Sequence, residues 1–178
     1  MKPKGLHGVM AEFNTPDELV SASHRAYQAG YRKMDAYSPF AIEELSEAIG
    51  FHHTRLPLIV LVGGIIACIG GMAMQYWMAA VDYPVNVGGR PLNSWPAFIP
   101  VMFELTVLIA SLAAVFGLLG LCGLPRPHHP LFNVEAFARA TRDRFFLCIE
   151  ARDPRFDAEA TRAFLTALHP SEVTEVPD

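Results

Sequence analysis

Leu56-Pro57-Leu58-Ile59-Val60-Leu61-Val62-Gly63-Gly64-Ile65-Ile66-Ala67-Cys68-Ile69-Gly70-Gly71-Met72-Ala73-Met74-Gln75-Tyr76-Trp77-Met78-Ala79-Ala80-Val81 contains no charged residue. A helix rises about 1.5 Å per residue, so about 20 such residues cover the roughly 30 Å hydrocarbon layer of a bilayer. A second run, Phe98 to Leu121, has Glu104 as its only ionisable residue. Trp77 and Trp95 fall where amphipathic rings anchor at membrane interfaces. Core helices of soluble proteins are seldom this long and apolar. The stretch from Leu56 to Leu124 therefore reads as a two-helix transmembrane hairpin, and the remaining sequence hangs off its two ends.

The chain has 178 residues, 52% of them hydrophobic. Outside the hairpin there is room for one small domain at most. The formal net charge is -4 and no basic patch is present, which argues against nucleic acid as a partner. The first residues lack the apolar core of a secretory signal, so the first flank is expected to be cytoplasmic. Cys68, Cys122 and Cys148 form no CxxC or CxxCH, and read as small buried apolar residues. Covalent haem and iron-sulfur clusters, which need grouped thiolates, are disfavoured on this chain.

Before the hairpin, His7 to Phe13 reads as a strand. Thr15-Pro16-Asp17-Glu18 is a capping box with proline at the first helical position, so a helix starts there. Leu19, Ala22, Ala26 and Ala29 give it a buried stripe, and Gly30 is placed to end it in a left-handed conformation. Tyr31 to Tyr37 alternates as a second strand, with Met34 and Ala36 on one face and Tyr31, Asp35 and Tyr37 on the other. Ile42, Leu45 and Ile49 mark a short amphipathic helix closed by Gly50.

After the hairpin, Leu124 to Pro130 is a stiff proline-rich exit. Asn133 is expected to cap a helix through Glu135, Phe137 and Ala138. Phe145-Phe146-Leu147-Cys148-Ile149 reads as a buried strand, Asp157 as the cap of a helix with Phe164, Leu165 and Leu168 on its face, and Glu172 to Val176 as a last strand. Strand-helix-strand thus occurs once on each side. Neither half can bury both faces of a two-stranded sheet, so the two are expected to join. Separate docking of each half on partner proteins is the alternative. The expected fold is an α+β membrane protein with a transmembrane hairpin inserted into a split ferredoxin-like (βαβ-βαβ) cytoplasmic domain. Its parts are residues 1–55, the hairpin 56–124 with helices over about 56–80 and 97–122 and an outer connector at 82–96, and residues 125–178.

Of the 14 Lys and Arg residues only Arg90 lies in the connector, whereas Arg55, Arg126, Arg139, Arg142 and Arg144 flank the membrane ends. The positive-inside bias puts both termini in the cytoplasm. Gly63, Ala67 and Gly71 stand four residues apart with Gly70 alongside, a pattern that lets helix backbones approach closely. Their partner is either the second segment or another subunit. Glu104 is a functional candidate because charge in hydrocarbon is costly unless paired. Its depth matches Gly70 to Gln75, so Gln75 or Tyr76 is expected to hydrogen-bond it and lock the hairpin, with a proton-handling role as the second reading. His52-His53 and His128-His129 both adjoin the hairpin, but adjacent histidines on an extended chain point apart, and no carboxylate or thiolate is spaced to complete a metal shell. No catalytic, cofactor-binding or metal-binding residues are assigned.

Several segments together resemble a known family. These are Gly8-Val9-Met10-Ala11-Glu12-Phe13, Met34-Asp35-Ala36-Tyr37-Ser38-Pro39-Phe40, Gln75-Tyr76-Trp77, Asp82-Tyr83-Pro84, Asn86-Val87-Gly88-Gly89-Arg90-Pro91, Ser94-Trp95-Pro96-Ala97-Phe98-Ile99-Pro100, Phe103-Glu104-Leu105-Thr106 and Gly123-Leu124-Pro125-Arg126-Pro127. Over nearly the whole chain they look like the D subunit (ActD) of bacterial alternative complex III, a respiratory assembly that oxidises quinol. The resemblance implies a cofactor-free accessory subunit in the bacterial inner membrane. It also implies haem c and iron-sulfur clusters in partner subunits, and multi-helix quinol-interacting subunits as further partners. The residues alone leave two other readings: a stand-alone membrane protein using Glu104 for ion or proton handling, and a membrane-anchored signalling adaptor.

Overall fold

A computed structural model describes residues 5–51 and 54–178. They fall into two units, one within Met1–His53 and Pro127–Asp178 and the other Thr54–Arg126. The first unit contains β1 (Leu6–Phe13), α1 (Pro16–Gln28), β2 (Met34–Tyr37) and α2 (Glu43–Ala48) before the interruption. The second unit contains α3 (Leu56–Tyr76), which runs on as a π-helical segment (Trp77–Asp82), and α4 (Trp95–Cys122). Back in the first unit come two 3-10 turns (Pro130–Asn133 and Glu135–Thr141), β3 (Phe145–Glu150), α5 (Ala158–Thr166) and β4 (Glu172–Pro177).

The four strands make one antiparallel sheet in the order β2-β3-β1-β4. β1 pairs with β3 from Gly8 opposite Glu150 to Phe13 opposite Phe145, so strands from either side of the interruption are direct neighbours. The two halves therefore form one sheet, and separate docking is not what the chain does. Odd-numbered β3 residues Phe145, Leu147 and Ile149 join Val9, Ala11, Phe13, Leu19 and Leu165 in one core. Even-numbered Phe146 and Cys148 join Met10, Val176, Leu131 and Phe137 in a second core on the other face. Strict two-residue alternation between two cores is why this strand is apolar throughout. Burial raises the Cys148 thiol to about 12, so it stays protonated at neutral pH.

The capping box at the start of α1 is complete. The Glu18 carboxylate accepts from the Asn14 and Thr15 amides, and the Thr15 hydroxyl accepts from the Glu18 amide. Gly30 follows α1 with φ +98°, a conformation that a side chain would strain. Asp157 caps α5 through the Ala160 amide, 3.0 Å away.

Three local expectations are corrected. β2 begins at Met34, and Tyr31 lies with the α1 side of the core, its hydroxyl 3.2 Å from Thr161. The cause is Asp153, whose carboxylate accepts from the Arg32 and Lys33 amides at 2.6 and 2.7 Å and withholds those two donors from the sheet, while the Lys33 carbonyl still accepts from the Glu150 amide at 2.9 Å. The segment after Asn133 is a 3-10 turn, and Asn133 caps nothing; its amide donates to the Pro177 carbonyl. The first hairpin helix extends past residue 80 to Asp82 by widening its last turns to π geometry.

Asp153 also accepts from the Arg155 amide at 2.8 Å. Burial alone would raise its pKa, but the three backbone donors outweigh that and hold it below the ordinary range. A carboxyl with a depressed native pKa stabilises the fold fully above its unfolded pKa of about 3.9, and the stabilisation is lost as pH falls through the native value. Asp153→Asn should lower the stability of the sheet domain by about 1.5–3 kcal/mol at neutral pH. Thermal melts of the full chain should show that difference shrinking in acid.

Candidate functional site

The assigned residues all lie in the hairpin. α3 presents Ala67, Gly71 and Gln75 as its buried residues, with Gly63 half-buried one turn earlier in the same row. The row meets α4. A methyl group added at Gly63 would lie 2.9 Å from the Ala113 Cβ, and one at Gly71 would lie 3.2 Å from the Leu105 Cδ1. Gly117 reciprocates from α4, where an added Cβ would meet Ile59 and Leu56 at 3.1 and 3.2 Å. Small residues on both helices therefore let the backbones approach closely. Gly70 is the exception: it faces open space, with nothing within 4 Å of an added Cβ.

Gln75 ties the helices near the Trp95 end of α4. It is 9% exposed, and its amide donates to the Gly71 carbonyl within α3 and across to the Phe98 carbonyl at 3.1 Å. Two hydroxyls of α4 stay within their own helix, Thr106 donating to the Met102 carbonyl and Ser111 to the Val107 carbonyl, both at 2.7 Å. Such back-bonding satisfies a hydroxyl without a partner helix.

Glu104 is not the lock of the hairpin. It is exposed and has no hydrogen-bond or ion-pair partner among the described residues, while Gln75 is committed to carbonyls. Its level along the helix is as expected, because Met102 and Leu105 stand beside Gly71. Its direction is not. The α4 face toward α3 runs through Phe98, Met102, Leu105, Ile109, Ala113 and Gly117, and at about 100° per residue Glu104 falls nearly opposite.

The histidine pairs divide. His52-His53 lies outside the described residues. His129 accepts from the Leu131 amide at 3.4 Å, and its ring sits edge-on to His7 at 5.3 Å, whereas His128 is exposed. One feature gave no sequence signal: an open, mostly apolar cavity of about 660 Å³ between residues 36–41 and the two 3-10 turns. Tyr37, Phe40 and Phe132 line it, and burial raises the Tyr37 hydroxyl far above its usual range. The cavity joins segments about 90 residues apart, which periodicity cannot reveal.

A small antiparallel-sheet domain interrupted by two apolar helices, each long enough to cross a membrane, defines the class of the protein: an α+β chain organised about a helical hairpin. The chain belongs to the family of the D subunit of alternative complex III. The family model, "Alternative complex III, ActD subunit", matches residues 7–175, which takes in both units. No curated protein matches the chain. Membership makes the chain a subunit of alternative complex III in respiratory electron transport, with the other subunits of that complex as its partners.

The packing row can be checked by substitution. Gly63→Leu and Gly71→Leu should each overpack the helix interface by about 1–3 kcal/mol, and together should remove the chain from the purified complex. Gly70→Ala should leave its recovery unchanged. Immunoblotting of the purified complex gives the readout.

Proposed function

We propose that this chain is a cofactor-free accessory subunit that spans the bacterial inner membrane twice and holds a cytoplasmic domain beside the electron-transferring subunits of alternative complex III. The observation that carries this reading is the hairpin. Its helices run Leu56–Asp82 and Trp95–Cys122, and in the most apolar window of the second no residue is buried inside the chain. A helix apolar all round and bare on most sides suits lipid or other subunits. Both termini lie in the cytoplasm on the strength of the arginine asymmetry between the flanks and the connector.

The domain is read as a split ferredoxin-like fold, supported by the strand order β2-β3-β1-β4 and by one helix between the strands of each half. The cofactor-free assignment is supported by what the candidate ligands do instead. Cys148 is a protonated core thiol and His129 stabilises a turn. Haem c and iron-sulfur clusters would then belong to partner subunits, as would the quinol site, and this chain would contribute membrane packing and a docking domain.

Labelling tests the topology. A cysteine in place of Asn93, in a background without Cys68, Cys122 and Cys148, should react with a membrane-impermeant maleimide from the outer side of spheroplasts. Reaction only from the cytoplasmic side would overturn the orientation. Purification through a tag on this chain should bring haem-bearing and iron-sulfur subunits with it, and a complex depleted of it should keep its haem spectra.

A further inference from the structure

Glu104 is the tenth residue of a 28-residue helix, so it stands about 13 Å along a rod about 42 Å long. A hydrocarbon layer of about 30 Å centred on that rod leaves it roughly 7 Å inside the boundary. That is too deep for a glutamate side chain to reach the headgroups, a habit of the longer Lys and Arg. The carboxylate points away from α3 and has no partner among the described residues. Val101, Leu108, Ser111 and Val115 share its side of α4 and are exposed with it. An acceptor in hydrocarbon demands a donor, because charge there is held only where it is paired or solvated.

We propose that the Glu104 side of α4 docks onto a transmembrane helix of another subunit of the complex, and that this helix presents a side-chain donor to the carboxylate. This rests on the reading that the hairpin spans the bilayer. A second copy meeting the first α4 against α4 does not fit. α4 carries no Lys, Arg, His, Asn or Gln, and its Thr106 and Ser111 hydroxyls are committed to their own helix, so two copies would set carboxylate against carboxylate. Lipid does not fit either, because the cationic groups of lipids lie at headgroup level, above the depth of Glu104.

The test uses the assembled complex in native membranes. A benzophenone amino acid in place of Leu108, one turn from Glu104, should give a light-dependent adduct with another subunit. Glu104→Lys should reduce recovery of the chain in the purified complex by about tenfold or more, while Glu104→Gln, which keeps a polar side chain of the same shape, should stay within about threefold. Loss of both variants alongside a subunit adduct would also support the proposal and identify the donor as a cation. An adduct with a second copy of this chain, adducts with lipid alone, or no adduct at all would overturn it, as would full recovery of Glu104→Lys. Failure of the underlying reading shows separately: a wild-type chain released from membranes by alkaline carbonate would overturn the spanning hairpin and this proposal together.

Discussion

The pairing of β1 with β3 is the constraint on which the rest of the sheet domain depends. β3 separates the two strands of the first half, and β1 separates the two strands of the second. Each half thus supplies the strand that the other lacks at its centre, and neither can form this sheet without the other. Phe13 pairs with Phe145, so the register closes over the whole hairpin. Closing a long flexible loop carries an entropic cost that grows only slowly with length, and much of this connection is two helices packed on each other. Gly117, near the end of α4, packs against Leu56 and Ile59 at the start of α3, so the hairpin itself keeps its two ends close.

That dependence explains which parts of the fold are legible in the sequence. Features set by a few neighbouring residues are plain: the Thr15–Glu18 capping box, the Asp157 cap, the left-handed Gly30, and the apolar run at Phe145 to Ile149. The run also signals burial on both faces, although what covers the second face is not legible. Leu131, Val134, Phe137 and Ala140 do so from 3-10 turns and not from a helix. Their spacing of three fits either geometry, and the choice falls to packing on the sheet.

Where a distant group intervenes, local pattern misleads. Tyr31 to Tyr37 alternates like a strand over its full length, yet the carboxylate of Asp153, some 120 residues away, takes the Arg32 and Lys33 amides. A buried carboxylate with three backbone donors outcompetes the end of an edge strand, because β2 has β3 as its sole neighbour in the sheet. Edge residues lose little when their amides find another acceptor. Nothing in the run Ala151-Arg152-Asp153-Pro154-Arg155 marks Asp153 as that acceptor, since its partners are assembled only when the sheet forms.

The hairpin poses a related problem in one dimension. Level along a helix follows from counting residues, and Glu104 does stand at the level of Gly71. Direction around the helix follows from packing, and the signal for it lies in the small residues of α4. Ala113 and Gly117 are four apart and mark the side on which α3 can approach; Glu104 is on the other side. Close packing along one narrow row joins the two helices, with the Gln75 amide crossing between them. A row that narrow is used up by one partner. Because the row belongs to the α3–α4 contact, any further association of the hairpin has to use the remaining surface of both helices, which is apolar except where polar side chains such as Glu104 interrupt it.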